Sequence, residues 1–237
     1  MSKEELSARW DGYLGKLKDR YYEILNSTEE PLNEVYNNMQ YDNVIIHNIT
    51  NGLKGQTVVQ LSQKADDGWN KMQGEIYKNG FLFLIKEEGY KLAEFKKWLD
   101  IEFTRFSVKV FANAARKILE NVKKHIDEKK MHRCTQCAAE LPINIYSFMA
   151  VNIKCESCGA VNTYQPDDRV RALEYYVIEP LAEEYAIEEK IKGATDKSAM
   201  KEYYKKYYGY LMENVPEKKE SYQRTMDERL NNPFFSM

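Results

Sequence analysis

The chain has 237 residues, 43% apolar and 30% charged, enough apolar side chain for one large core or for a long helical assembly with a small insert, which excludes disorder as the default. A net charge of -2 with a pI near 6.1 excludes a global attraction to nucleic-acid phosphates or anionic lipid. The longest apolar run, Phe81 to Ile85, is too short to span a bilayer, and the first residues lack the basic-then-apolar order of a secretion signal, so the expectation is a soluble, cytoplasmic protein.

Six prolines and eleven glycines against eighteen tyrosines favour long helices with aromatic seams. Ser2 and Glu5 match a capping box, and Leu6, Trp10, Tyr13, Leu17, Tyr21 and Ile24 recur every three or four residues, predicting a helix over residues 3–26. Asn26-Ser27-Thr28 before Glu29, Glu30 and Pro31 reads as a stop and a restart. A second helix is then expected to carry Leu32, Val35, Met39, Ile46, Ile49 and Leu53, interrupted by Gly52 and Gly55. From Thr57 onward Val58, Leu61, Ala65, Trp69, Met72 and Ile76 follow a coiled-coil-like spacing that ends at Asn79-Gly80.

Residues 81–130 contain no proline and one glycine, Gly89. Leu92, Phe95, Leu99, Phe103, Phe106, Val110, Ala114, Ile118, Val122 and Ile126 predict one long helix or two nearly collinear ones, with Glu87–Lys91 and Glu120–Lys124 as i, i+4 ion pairs.

All four cysteines follow: Cys134-Thr-Gln-Cys137, seventeen residues, then Cys155-Glu-Ser-Cys158-Gly159. Two thiolates three positions apart on a tight turn grip one side of a tetrahedral cation, and a second pair closes the other. Paired x2 spacing favours a metal over two disulfides. Leu141, Ile143 and Ile145, then Val151 and Ile153, alternate as strands do. The pattern resembles the zinc ribbons over some 35 residues. The resemblance implies one structural Zn2+ on Cys134, Cys137, Cys155 and Cys158, with no open coordination position and hence no hydrolysis at the metal. Rubredoxin-like iron and an iron-sulfur cluster share this spacing. Ala138 stands where a knuckle often has glycine, and His132, two residues before Cys134, is a solvated neighbour once four cysteines complete the set.

Asp167 or Asp168 is expected to cap a helix with the stripe Val170, Leu173, Val177, Leu181 and Tyr185, kinked at Pro180. Lys192-Gly193 and Thr195-Asp196 mark a break, Met200, Tyr204, Tyr207 or Tyr208, Leu211 and Val215 a further stripe, and a short helix ends near Leu230 before an apolar-tipped tail through Phe234 and Phe235. The tyrosines from Tyr203 to Tyr210 read as a packed seam with snorkelling lysines.

The fold class is therefore mainly α, long amphipathic helices of bundle or coiled-coil type with a small inserted β zinc ribbon. Three parts are expected: a helical region 1–130 ending in a long helix, the ribbon 131–166, and C-terminal helices and tail 167–237 packing back on the N-terminal region. Between Cys134 and Gln165 the charged residues are Glu140, Lys154 and Glu156, too few cations for a phosphate-binding ribbon. The ribbon's apolar residues, Ile143, Ile145, Tyr146, Phe148, Met149 and Val151 among them, exceed what a small sheet buries alone. The first expectation is a non-enzymatic zinc-binding scaffold or adaptor assembling with proteins, copies of itself included. The alternative is a nucleic-acid-associated zinc-ribbon factor using the basic segment 123–133. No nucleophile elbow, P-loop, dinucleotide fingerprint or H-E-x-x-H is present, and His47, His125 and His132 fall in no catalytic pattern, so no enzyme is expected.

Overall fold

The computed structural model describes residues 2–129, 133–142, 150–166, 168–171 and 173–232. The described residues are mainly helical, with one two-stranded antiparallel sheet. No helix among them is long and apolar enough to cross a membrane. They divide into two compact units, the first of residues 1–35 and 45–107, the second of 36–44 and 108–237.

The first unit is built on α1 (Lys3–Asn26), α4 (Gln60–Asn79) and the first part of α5 (Leu84–Lys129), with α2 (Glu29–Asn38) and α3 (Val44–Lys54) between. Helix α1 starts as its sequence dictates: the Glu5 N–H donates to Ser2 Oγ at 3.2 Å and the Ser2 N–H donates to the Glu5 carboxylate at 2.8 Å, so two helix-end donors are satisfied reciprocally. Its stripe Leu6, Trp10, Leu14, Leu17 and Tyr21 meets Leu61, Ala65, Met72 and Ile76 of α4 and Leu92, Phe95, Leu99 and Phe103 of α5 in one core. Each such side chain contributes about 1.5–3 kcal/mol by leaving water, so this stripe outweighs the surface ion pairs. Tyr13 and Trp69 of the expected stripes pack at the core's edge.

Glu88 is 1% exposed and accepts from Ser7 Oγ at 2.6 Å, while Lys91 Nζ lies 3.0 Å from its carboxylate and 2.8 Å from Asp11. Lys91 thus serves Glu88 and Asp11 rather than the expected Glu87, and Glu120 is held by Lys117 at 3.1 Å. A buried carboxylate attracts the nearer ammonium more strongly than a solvated one does.

The expected second helix is two. Residues 39–43 are not helical, and Asp42 Oδ1 accepts the Val44 N–H at 3.1 Å to restart the chain. In the second unit, the Asn121 side-chain amide donates to the carbonyls of Met39 and Gln40 at 3.0 and 2.9 Å, satisfying groups that a continuing helix would have paired itself. Neither glycine interrupts as expected. Gly52 lies within α3, and Gly55 opens a π-helical turn, Gly55–Val59, that runs straight into α4. Helix α4 ends at Gly80 in the left-handed conformation, the C-terminal stop its sequence predicts.

Residues 84–129 are one continuous helix, α5, whose expected positions from Leu92 to Val122 are buried apart from the half-buried Phe106. Ala112 and Ala115 are also fully buried, so this stretch packs on more than one side. The sheet pairs β1 (Val151–Lys154) with β2 (Val161–Tyr164), Val151 facing Tyr164 and Lys154 facing Val161. The expected positions Ile143 and Ile145, with Tyr146, Phe148 and Met149, lie outside the described residues, as do His132, Asp167 and the tail beyond Asn232.

After α6 (Asp168–Arg171), a π-helical turn, Glu174–Ile178, leads into α7 (Glu179–Gly193), followed by α8 (Lys197–Asn214), a 3-10 turn (Pro216–Lys218) and α9 (Lys219–Leu230). Pro180 sits directly after the π turn, in the first turn of α7. Its missing N–H therefore falls at a change of hydrogen-bond register, not in the helix interior. Val170, Leu173, Val177 and Leu181 are buried as expected, but Tyr185 is 61% exposed and Ala182 and Ala186 point inward instead. Asp196 caps α8 through the Ser198 N–H at 2.8 Å. Tyr203, outside the expected stripe, is buried, and its hydroxyl donates to Glu183 at 2.7 Å. Helices α7 and α8 form a hairpin: Lys206 meets Glu189 and Tyr210 meets Tyr185. Tyr207, Tyr208, Tyr210 and Tyr222 pack on Ile178, Ala182, Leu211 and Val215.

Candidate metal centre

Two backbone turns of the same construction carry the cysteines, 21 positions apart. In the first, the Cys134 N–H donates to the Ala139 carbonyl at 2.7 Å and the Ala138 N–H to the Cys134 carbonyl at 2.9 Å; in the second, Cys155 donates to Ala160 at 2.8 Å and Gly159 to Cys155 at 2.9 Å. The bridge between Arg133 and Glu140 flanks the first turn as the Lys154–Val161 pair of the sheet flanks the second. Both turns close through a left-handed residue, Gly159 at φ 76° and Ala138 at φ 60°. Glycine adopts that conformation freely, whereas alanine pays about 1 kcal/mol or more for its Cβ.

The turns place all four sulfurs within 4.8 Å of one another. Cys134 Sγ lies 3.5 Å from Cys158 Sγ, and Cys137 Sγ lies 3.6 Å from Cys155 Sγ. Four sulfurs at about 2.3 Å from a tetrahedral cation are about 3.8 Å apart, so the set has the chemistry and the spacing to hold one metal ion. Cys134 and Cys155 are buried, Cys137 and Cys158 exposed.

The N–H groups of Cys137 and then Gln136 pull Cys134 down to about 6, helped by Asn162. The N–H of Cys158, followed by that of Ser157, lowers Cys155. At Cys158 the Ala160 N–H also favours the thiolate, but the sulfurs of Cys137 and Cys134 outweigh it and push the thiol up to about 12. Crowded sulfurs resist sharing negative charge, and a cation among them would remove that resistance.

Asn162 of β2, only 7% exposed, is the residue that sequence reasoning missed. Its Oδ1 accepts from the Thr135 N–H and the Thr135 hydroxyl, both at 2.9 Å, while Nδ2 lies 3.5 Å from Cys134 Sγ and 3.2 Å from the Ala160 carbonyl. One side chain thus ties the second turn to the first and gives a ligand sulfur a hydrogen bond, the orienting role that outer-shell groups have at metal sites. The signal was faint: Asn162 is a polar residue at the inward phase of a strand.

No family model, curated protein or solved structure matches the chain. The likeness to a zinc ribbon rests on the motif and on this geometry.

The other sequence candidates lie elsewhere. His47 is exposed on α3. His125 is buried, with Arg169 Nη1 2.9 Å from its Nδ1 and the Tyr41 ring edge-on to it. Within segment 123–133, Lys123, Lys124 and Arg133 are exposed and His125 turns inward, while the side chains of residues 126–132 lie outside the described ones.

Proposed function

We propose that the chain is a zinc-binding scaffold or adaptor that assembles with proteins, further copies of itself included, and does no chemistry at its metal. The observation that carries this reading is the closed set of four sulfurs. Four protein ligands fill a tetrahedral zinc ion and leave no position for water or substrate, and the Asn162 bracing serves a site that fixes structure. Zinc is the best match to four thiolates in a reduced, cytoplasmic setting.

Charge supports proteins over nucleic acid as partners. The ribbon's side chains between Cys134 and Gln165 carry one anion more than they do cations; four thiolates and a divalent cation bring the total to -3, a poor phosphate surface. Apolar surface supports assembly. Tyr77, Leu82, Phe83 and Tyr90 are all more than half exposed around the turn joining α4 and α5, and Val161 is 66% exposed on the ribbon.

Size-exclusion chromatography with light scattering, with and without nucleic acid, tests the reading alongside elemental analysis of protein purified without added metal. The expected result is about one zinc per chain and a defined oligomer or partner complex indifferent to nucleic acid. Salt-sensitive co-elution with DNA or RNA would establish the alternative based on segment 123–133, and a chain without metal would remove the zinc reading.

A further inference from the structure

The four sulfurs of the metal centre are not equivalent. In each turn the first cysteine is buried, Cys134 at 3% exposure and Cys155 at 1%, and the second, Cys137 or Cys158, is exposed. The exposed cysteines sit among exposed neighbours, Gln136 and Ala138 in the first turn, Ser157 and Gly159 in the second. A small solute therefore reaches these two residues without any part of the fold opening.

Each exposed cysteine stands against a buried one of the other turn. Cys158 Sγ is 3.5 Å from Cys134 Sγ, and Cys137 Sγ is 3.6 Å from Cys155 Sγ, the partners being 24 and 18 positions apart in the chain. A disulfide needs a sulfur separation of about 2.05 Å, so each pair closes by a movement of about 1.5 Å once no cation holds the sulfurs apart. Both bonds would run between the turns. A metal-bound thiolate keeps nucleophilic electron pairs, and the ribbon's net negative charge disfavours an anionic oxidant. A hydroperoxide, neutral and small, meets neither obstacle.

We propose that the ribbon is a peroxide-sensitive switch in which Cys137 and Cys158 are oxidised first and are resolved by Cys155 and Cys134 respectively, releasing the zinc and stapling one turn to the other. In each pair the exposed sulfur attacks the peroxide: an S–O bond forms, the O–O bond breaks and hydroxide leaves, making a sulfenic acid. The buried thiolate opposite attacks that sulfur; an S–S bond forms, the S–O bond breaks and a second hydroxide leaves. The two sulfurs together have lost two electrons, and one peroxide has been reduced to two hydroxides, which take up solvent protons. A second such event uses the remaining pair, and the cation has no thiolate left. The proposal rests on the zinc-ribbon reading and adds no catalysis at the metal, since the ligands themselves are consumed. Cross-turn bonds keep both turns and the Asn162 brace in register, so peroxide discharges the ion without unfolding the ribbon, as chelation would.

The test uses the full chain, with bound metal counted before hydrogen peroxide is added in excess. A chain without zinc at that stage fails the zinc reading and this proposal with it; a zinc-loaded chain that resists peroxide fails the proposal alone. The expected result is zinc released to a chromophoric chelator in step with the loss of all four thiols. Peptide mapping without reduction should find Cys134–Cys158 and Cys137–Cys155, and dimedone present during oxidation should label Cys137 and Cys158 but not their partners. The amide resonances of Thr135 and Asn162 should stay dispersed in the oxidised, zinc-free chain, and dithiothreitol with zinc should restore the starting spectrum. Bonds within each turn, dimedone on the buried cysteines, sulfinic acid in place of disulfides, or collapse of those two resonances on oxidation would overturn the assignment.

Discussion

The ribbon and the α1–α4–α5 unit stay folded by different means. In the helical unit the core is mostly Leu, Ile, Val, Ala, Met, Phe, Trp and Tyr side chains packed against one another. Between residues 133 and 164 the buried groups among the described residues are Cys134, Cys155 and Asn162. Two four-residue strands cannot bury enough apolar surface to offset the entropy of ordering them. The difference teaches that, among the described residues, what is buried in the ribbon is the sulfurs and the amide that braces them, while the helices bury many methyl groups.

Metal removal should break this contrast most sharply. Structural zinc sites contribute on the order of 10 kcal/mol to the folding of the small elements they hold. With a strong chelator, or in Cys155→Ser, the amide resonances of Thr135 and Asn162 should collapse to random-coil positions while the helical far-UV signal is largely kept. Loss of both together would show that ribbon and helices fold as one unit. The converse is Leu99→Ala, a fully buried position in the helical core. Large-to-small changes there cost about 2–5 kcal/mol, to be read as a lower denaturant midpoint with bound metal per chain unchanged; a fall in metal content would contradict the separation.

Asn162→Ala sharpens the comparison from inside the ribbon. It strands the Thr135 N–H and removes the amide beside Cys134 Sγ. Loss of such an orienting group typically weakens a metal site by about 10- to 100-fold, measurable by competition with a chromophoric chelator. Unchanged affinity would reduce Asn162 to a packing residue.

What the sequence disclosed follows the same division. The ends of α1, the stop at Gly80, the continuity of α5 and the four sulfurs were legible because each depends on local spacing. The π turn Glu174–Ile178 was not, because no residue type demands it. Within α7 each four-residue step overshoots a full turn by about 40°, so the expected line Val177, Leu181, Tyr185 drifts outward at Tyr185 while Ala182 and Ala186 face inward. The break after Asn38 was hidden because it depends on Asn121, some eighty residues away. Asn162 was hidden for a related reason: its partners Thr135 and Cys134 meet it only after both cysteine turns have formed.

The smallest expected effect distinguishes the two cysteine turns from each other. Both require a left-handed residue, yet one has alanine and the other glycine, with no atom within 4 Å of where a Cβ on Gly159 would stand. Gly159→Ala should therefore cost only the backbone penalty, about 1 kcal/mol, with no steric clash added. Ala138→Gly removes that penalty but adds the larger entropy of an unfolded glycine, about 0.5–1 kcal/mol, so its net gain should be a few tenths of a kcal/mol. Metal-release temperature measures both, and the double variant should fall between the two singles, since the turns repeat the same hydrogen bonds independently. A Gly159→Ala loss well above about 1 kcal/mol would mean that the second turn is braced by more than its backbone, and that the likeness between the two turns ends at their hydrogen bonds.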